Sequence, residues 1–259
     1  MKPAAAVCLF LVTGLSTFCK GQANVNENLE TAFIYVDGTT GSDTNPGTQQ
    51  KPLKTIGAAS SMAVTNNHSN IGTRVTINPG TYRESFSLTG VSQDTSYPIT
   101  FQAATNGTVI MNGALVYTGW TVYSGNSNIY TNTWTNTWGL CPAVGGCPAL
   151  QNISARQEMI FVNGVQLTQV LSFGEMLQGT FYVDTTHSTV YIWPANGTNM
   201  STATVEVATL PYLVAVYGKS NLVFRGIVFQ YANSCRGNSA VIVDGSACVL
   251  SVGMVTCAN

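Results

Sequence analysis

Charge is what this sequence has least of. Lysine, arginine, aspartate and glutamate together make up 8 % of 259 residues, and only two histidines are present. The basic residues form no block and the formal net charge is −1. A nucleic-acid partner needs a basic footprint, so that class is excluded. No Cys-x-x-Cys occurs, and neither histidine stands at ligand spacing from a cysteine, which argues against a cysteine-based metal site. Beyond the first two dozen residues no apolar run is long enough to cross a bilayer. So few charges can signal disorder, but 45 % of the residues are hydrophobic and the β-branched runs are regular. Solubility must therefore rest on neutral glycine, asparagine, threonine and serine.

The amino terminus carries Lys2, an apolar stretch from Ala4 to Phe18, and Gly21-Gln-Ala23 with small residues at −3 and −1. This reads as a signal peptide over residues 1–23, and it predicts a secreted or periplasmic protein that needs no membrane once the signal is cut. Cys8 and Cys19 leave with it. Cys141 and Cys147 flank Pro-Ala-Val-Gly-Gly, a loop that could close a small disulfide in an oxidising compartment. Cys235, Cys248 and Cys257 lie in or beside a repeat and read as packing residues.

That repeat is the most informative feature present. Val214-Ala-Val-Tyr-Gly218 overlays Val241-Ile-Val-Asp-Gly245 at an offset of 27, and the same offset lays Leu222-Val-Phe-Arg-Gly226 over Val249-Leu-Ser-Val-Gly253. Self-similarity at this period predicts a solenoid, in which each unit buries on its neighbour what it cannot bury alone. Upstream, residues 24–31 are polar and read as frayed, and Phe33–Asp37 reads as a strand. Gly38–Thr48 is dense in turn chemistry, and Thr55–Val64 spaces Ile56, Ala59 and Met62/Ala63 as a short amphipathic helix. Val75-Thr-Ile, Ile99-Thr-Phe-Gln-Ala and Thr108-Val-Ile-Met-Asn-Gly113 are further strands at a similar period.

From Leu115 to Ala208 that period disappears. Glu158–Val162, Val165–Val170, Gly179–Val183 and Thr189–Trp193 are strand-like, and Asn163-Gly164 is a hairpin turn. The expected fold is all-β, with residues 24–114 as the first solenoid units behind a capping helix. Residues 115–208 are expected as an inserted antiparallel unit, and 209–259 as resumed solenoid, truncated at its end.

Ile34-Tyr-Val-Asp-Gly, Gly41-Ser-Asp-Thr-Asn-Pro-Gly-Thr and Lys51-Pro-Leu-Lys-Thr-Ile-Gly-Ala-Ala resemble the opening segment of secreted right-handed parallel β-helix proteins of the pectin-lyase-like superfamily. Asn221-Leu-Val-Phe-Arg-Gly-Ile-Val-Phe-Gln230 is similar to their recurrent coil motif. The interruption by Glu158–Gln169 and Gly179–Pro194 resembles a narrower set, β-helix glycoside hydrolases of family 120 type, whose helix is broken by a β-sandwich. The resemblance implies a carbohydrate-active protein whose partner is a polysaccharide or oligosaccharide. It also implies catalytic carboxylates on coils beyond the inserted unit, largely outside this chain.

Candidate chemistry is correspondingly thin. Glycoside hydrolysis needs two carboxyl groups. After Ala208 the only one is Asp244, which falls where the preceding unit has Tyr217 and serves equally as a turn residue. Trp134 and Trp138, in a Thr/Asn-rich segment, are candidates for stacking sugar rings, with core filling as the alternative. Arg225 could reach a groove or simply face solvent. A lyase would need a base such as Lys219, Arg225 or Arg236, together with a carboxylate-neutralising calcium ion. Asp37 and Asp43 could share such a cation, but both stand in turn sequence and are read as turn formers. His68 and His187 read as surface loop residues. No cofactor is expected. The sequence thus leaves three readings: a glycan-degrading hydrolase, a non-catalytic polysaccharide-binding or adhesin-like protein, and a polysaccharide lyase.

Overall fold

The computed structural model describes residues 25–89, 95–136, 156–234, 241–244, 250–253 and 256–258, the last three stretches as backbone. Among the described residues, apart from one α-helix and short 3-10 turns, the regular structure is β, in three parallel sheets and two further sheets that are mainly antiparallel. No described helix is long and apolar enough to cross a membrane.

The first parallel sheet holds β1 (Glu30–Val36), β2 (Gly72–Ile77), β5 (Ile99–Ala103), β17 (Leu222–Arg225) and β20 (Leu250–Gly253). The second holds β3 (Gly80–Tyr82), β6 (Val109–Asn112), β18 (Ile227–Gln230) and β21 (Thr256–Ala258). The third holds β4 (Phe86–Thr89), β16 (Val214–Tyr217) and β19 (Val241–Asp244). From β2 onward the chain visits first, second and third sheet in turn and repeats that cycle to β21. It is interrupted once, between β6 and β16. Parallel pairing in register is what a period near 27 requires, since each passage must land on the equivalent strand of the last.

Inward side chains make one core of Val36, Val75, Ile77, Phe101, Leu88, Val216, Phe224 and their neighbours. Phe101 and Phe224, paired in adjacent strands, stack with ring centroids 5.3 Å apart and planes 10° from parallel. Helix α1 (Ile56–His68) lies against β2 and β4 and brings Ile56, Ala59 and Ala63 into that core. Thr55 caps it through the Ala58 N–H, and the Glu84 carboxylate accepts from the N–H groups of Ile56 and Gly57. Burial pushes that carboxyl above the ordinary value although both N–H groups oppose it. The helix runs past the expected Val64 because Asn67 is fixed by tertiary contacts: it donates to the Tyr97 carbonyl and accepts from Lys219.

The repeat register needs one correction. Val214 pairs with Val241 at the expected offset, but Leu222 pairs with Leu250 and Arg225 with Gly253, one residue further on. The cause is connector length. Four residues separate Tyr217 from Leu222 and five separate Asp244 from Leu250, so the second overlay slips by one.

The detour between β6 and β16 builds the other two sheets. One comprises β7 (Ala114–Val116), β10 (Ile160–Val162), β11 (Val165–Gln166) and β15 (Val205–Ala208). The other comprises β8 (Thr121–Val122), β9 (Tyr130–Thr133), β12 (Thr168–Val170), β13 (Thr180–Asp184) and β14 (Thr189–Trp193). They face each other across a second core that includes Trp134, Ile160, Phe181, Val190, Ile192 and Val205. Asn163 and Gly164, at φ 51° and 78°, turn β10 into β11 in the left-handed geometry a two-residue hairpin needs. Val165–Val170 is not one strand. Leu167 drops into the core, and the chain crosses from one sheet to the other, where β12 pairs parallel to β13.

Candidate functional site

The crossing at Leu167 leaves both sheets open at one edge, and a cavity of about 430 Å³ lies there. Its lining includes Arg156, Glu158, Gln166, Thr168, Gln169 and Phe181. Glu158 has a fully buried side chain, and Arg156 grips it with two parallel hydrogen bonds, the Nε–H to Oε2 at 3.0 Å and an Nη2–H to Oε1. A bidentate pair of this kind satisfies a buried carboxylate and cancels its charge. The lining is therefore neutral in sum: two amides, a hydroxyl, an ion pair and an apolar floor. That composition suits a polar, uncharged ligand with an apolar face, such as a sugar ring. It does not suit proton transfer, because both oxygens of Glu158 are held by the guanidinium.

A second polar cluster joins this pair of sheets to the parallel ones. Glu206 of β15 accepts from Arg83 at 2.7 Å and from Asn112 of β6 at 3.0 Å, while Arg83 also donates to the Ala114 carbonyl. Beside it, Tyr231, at φ 60°, stacks on Phe161 of β10 with centroids 3.7 Å apart. Burial, and then the Glu206 charge, raise the Tyr231 phenol.

The residues singled out in the sequence do not gather at either place. Trp134 is 3 % exposed and belongs to the core between the two antiparallel sheets. It is therefore not a sugar-stacking surface, since an indole closed in by Ile160 and Val190 offers no free face. Arg225 lies on the outer side of the first sheet and is tied to Glu27 at 2.6 Å and to Gln102 at 3.3 Å. The Glu27 hydrogen bond raises its pKa further, against some desolvation. The guanidinium thus bridges Glu27 and Gln102. Lys219 is fully buried and donates to Asn67, which removes it as a lyase base. The backbone of Asp244 pairs with Tyr217, but its side chain lies outside the described residues, as do Trp138, Cys141, Cys147, Cys235, Arg236 and Cys248.

Asp37 and Asp43 are turn formers. Asp37 accepts from the N–H groups of Thr40 and Thr39 and from Asn78, and with Thr40 the largest cause its pKa falls to about 2. Burial works against ionisation of Asp43, yet its bonds from Thr55 and Lys54 prevail and lower it. His68 is exposed at the end of α1, and His187 sits in a turn on Asp184 at 2.7 Å.

Two carboxylates in the segment read as frayed turn out to be anchors. Glu27 and Glu30 both bind Arg74, at 3.3 Å and 2.6 Å, and Glu30 also accepts from Thr100 in a buried contact. Arg74 and Arg225 stand two register rows apart on the first sheet, and nothing in the local sequence announced their shared partner Glu27. Every carboxylate whose side chain is described is engaged in a turn, a cap or an ion pair; Glu84 and Glu175 hold backbone N–H groups and Asp184 holds a turn. Among the described residues no group of three or more His, Cys, Asp and Glu side chains converges as metal ligands would.

No family model matches the chain. It is 33 % identical over 106 residues to the uncharacterised protein YwoF of Bacillus subtilis (strain 168), an alignment covering 41 % of this chain and 21 % of that protein. Among solved structures, XylC in complex with xylose superposes with a TM-score of 0.61 at 16 % identity, covering 78 % of this chain and 36 % of that one. A glycoside hydrolase superposes with a TM-score of 0.57 at 14 % identity, covering 78 % of this chain and 51 % of its own. The chain thus spans about a fifth of the length of its sequence relative and between a third and a half of these structural neighbours. At such identities the likeness is one of fold.

Proposed function

We propose that this chain is the carbohydrate-directed part of an exported glycoside hydrolase built on a right-handed parallel β-helix. In this reading residues 24–114 and 209–259 are its coils, 115–208 is an inserted β-sandwich, and residues 1–23 are the export signal. The observation that carries the proposal is the three-sheet cycle broken at a single step by a two-sheet unit, in a chain that superposes on XylC bound to xylose and on a glycoside hydrolase. Supporting it is a neutral cavity of about 430 Å³ in the inserted unit, of a size and lining suited to a sugar.

The chemistry of hydrolysis asks for two carboxyl groups on opposite sides of a glycosidic bond. The described carboxylates are all committed to structure, so the acids are proposed to lie elsewhere, with Asp244 the one candidate on the coils after the insertion. A lyase is the weaker reading, because Lys219 is buried and Arg225 is paired.

The test is an assay on xylo-oligosaccharides, with the full gene product and with residues 24–259 alone, scoring new reducing ends and unsaturated ends separately. Reducing ends from the full product and none from residues 24–259 are expected. Unsaturated ends would transfer the protein to the lyases. Turnover by residues 24–259 that Asp244→Asn abolishes would place the catalytic acid within this chain.

A further inference from the structure

The sheet β12-β13-β14-β9-β8 has two faces, and the core accounts for one. Phe181, Val183, Val190 and Ile192 point into that core. Side chains alternate along a strand, so Tyr182 and Tyr191 point the other way. They are directly paired across β13 and β14, and their rings lie 15° from parallel with centroids 6.1 Å apart. Tyr123 meets Tyr191 edge-on at 5.5 Å, and Phe173, from the turn after β12, closes on both at 5.1 Å and 5.0 Å. None of the four rings is buried, and Phe173 is 36 % exposed. The same face carries Thr131 and Thr121 in line with Tyr191.

Lysine and arginine are missing from this shelf. From Arg83 to Lys219 the only lysine or arginine is Arg156, which Glu158 neutralises at the cavity, and the one histidine, His187, is tied to Asp184. The nearest carboxylates are already held, Glu175 by the N–H groups of Leu171 and Ser172, and Asp184 by Thr186 and His187. A polyanion such as pectin, alginate or nucleic acid would find no lysine or arginine here and would meet the Asp184 carboxylate, which strand alternation places on the same face as Tyr182. Burial, first, and neighbouring groups raise the Tyr191 phenol, so its hydroxyl remains a donor at ordinary pH. Uncharged rings bordered by hydroxyls match a ligand that is itself uncharged, with apolar ring faces and many hydroxyls.

We propose that the outward face of this sheet, centred on Tyr182 and Tyr191, is a binding platform for a chain of neutral sugars, separate from the cavity at Arg156 and Glu158. This rests on the carbohydrate-directed reading above and narrows its substrate class to uncharged polysaccharides. The platform holds a chain while the chemistry proceeds elsewhere on the protein.

The experiment is affinity electrophoresis of residues 24–259 through gels containing soluble arabinoxylan, polygalacturonate or alginate. The variants are Tyr182→Thr with Tyr191→Thr, and separately Gln166→Ala with Gln169→Ala at the cavity. Threonine keeps strand propensity, and a thermal melt matched to the parent certifies each variant as folded. Expected are retardation by arabinoxylan alone, insensitivity to added salt, and about tenfold weaker affinity in the tyrosine variant, the scale of one lost aromatic contact. Retardation lost only in the cavity variant overturns the platform and leaves the carbohydrate-directed reading standing. Retardation by the acidic polymers, or none by any polymer, overturns the platform too, and the hydrolysis assay on the full product then decides the broader reading independently. A dimer in sedimentation that the tyrosine variant breaks, with arabinoxylan binding intact, would assign the face to self-association instead.

Discussion

An indole in a Thr/Asn-rich segment can face a sugar or a core, and composition does not separate the two because both want a large flat apolar surface. Trp134 went to the core, which its neighbours in sequence could not announce: that core is built with Ile160, Phe181 and Val190 from three strands. Trp134→Ala should therefore cost about 3–5 kcal/mol of stability, the range for deleting a buried aromatic, and leave glycan affinity unchanged while the protein is folded. Urea titration beside the electrophoresis checks both halves. Asp37 makes a different prediction. Its pKa is held at about 2 against an ordinary 3.8, so its charge stabilises the fold above the unfolded value, and that contribution is lost as pH falls through the folded one. Asp37→Asn keeps the turn geometry and removes the charge. The stability gap between parent and variant should be constant near neutral pH and close as pH falls from about 4 to about 2. A gap unchanged over that window would refute the pairing described for this turn.

At the scale of elements, most of what was legible came from local rules. β-branched runs bounded by Gly, Asn and Pro marked the strands, and Asn163-Gly164 marked its hairpin because only left-handed φ values fit there. What escaped was set by distant partners. The last turn of α1 depends on Tyr97 and Lys219 holding Asn67, and the break at Leu167 interrupts a run that alternates as one strand would. The slip of one residue between β17 and β20 arose from connector length, which an ungapped overlay cannot register. The candidate site was the least legible part. Its arginine and glutamate lie two apart at the edge of a strand, an ordinary sequence that gains meaning only beside a sheet crossing. Gly226, by contrast, had a readable role. It turns the corner from β17 to β18 at φ 68°, and a Cβ there would meet Asn106 Oδ1 at 2.4 Å. Gly226→Ala should cost about 2 kcal/mol, since left-handed backbone alone costs a non-glycine residue roughly 1–2 kcal/mol. Asn106→Ala in the same chain should recover only part of it, because the backbone strain remains. A shift of the urea midpoint at constant slope is the expected signature.

For the whole molecule, the question is how the inserted sheets and the parallel sheets act as one body. Two separate cores are present, and each could hold its own part together. The link described between them is local and partly polar: Arg83 and Asn112 on Glu206, with the Tyr231 ring stacked on Phe161. The Glu206 side chain is only 10 % exposed, so removing Arg83 leaves a largely buried carboxylate with a single amide partner. Such a loss costs about 3–5 kcal/mol in a fully buried pair and less here, where Arg83 is partly in water. The cost should fall on the joint rather than on either core. The four tryptophans offer a clean probe, because Trp120, Trp134, Trp138 and Trp193 all stand in the stretch 115–208. Indole fluorescence therefore follows the inserted sheets, while far-ultraviolet circular dichroism follows all five. In the parent the two urea transitions should coincide. In Arg83→Leu the fluorescence midpoint should fall below the dichroism midpoint, and Arg83→Leu with Glu206→Leu should bring the two back toward each other, because no charge is then left unpaired. Coincident transitions in all three proteins would mean that the joint is held by apolar contact alone, with the ion pair a passenger at its edge.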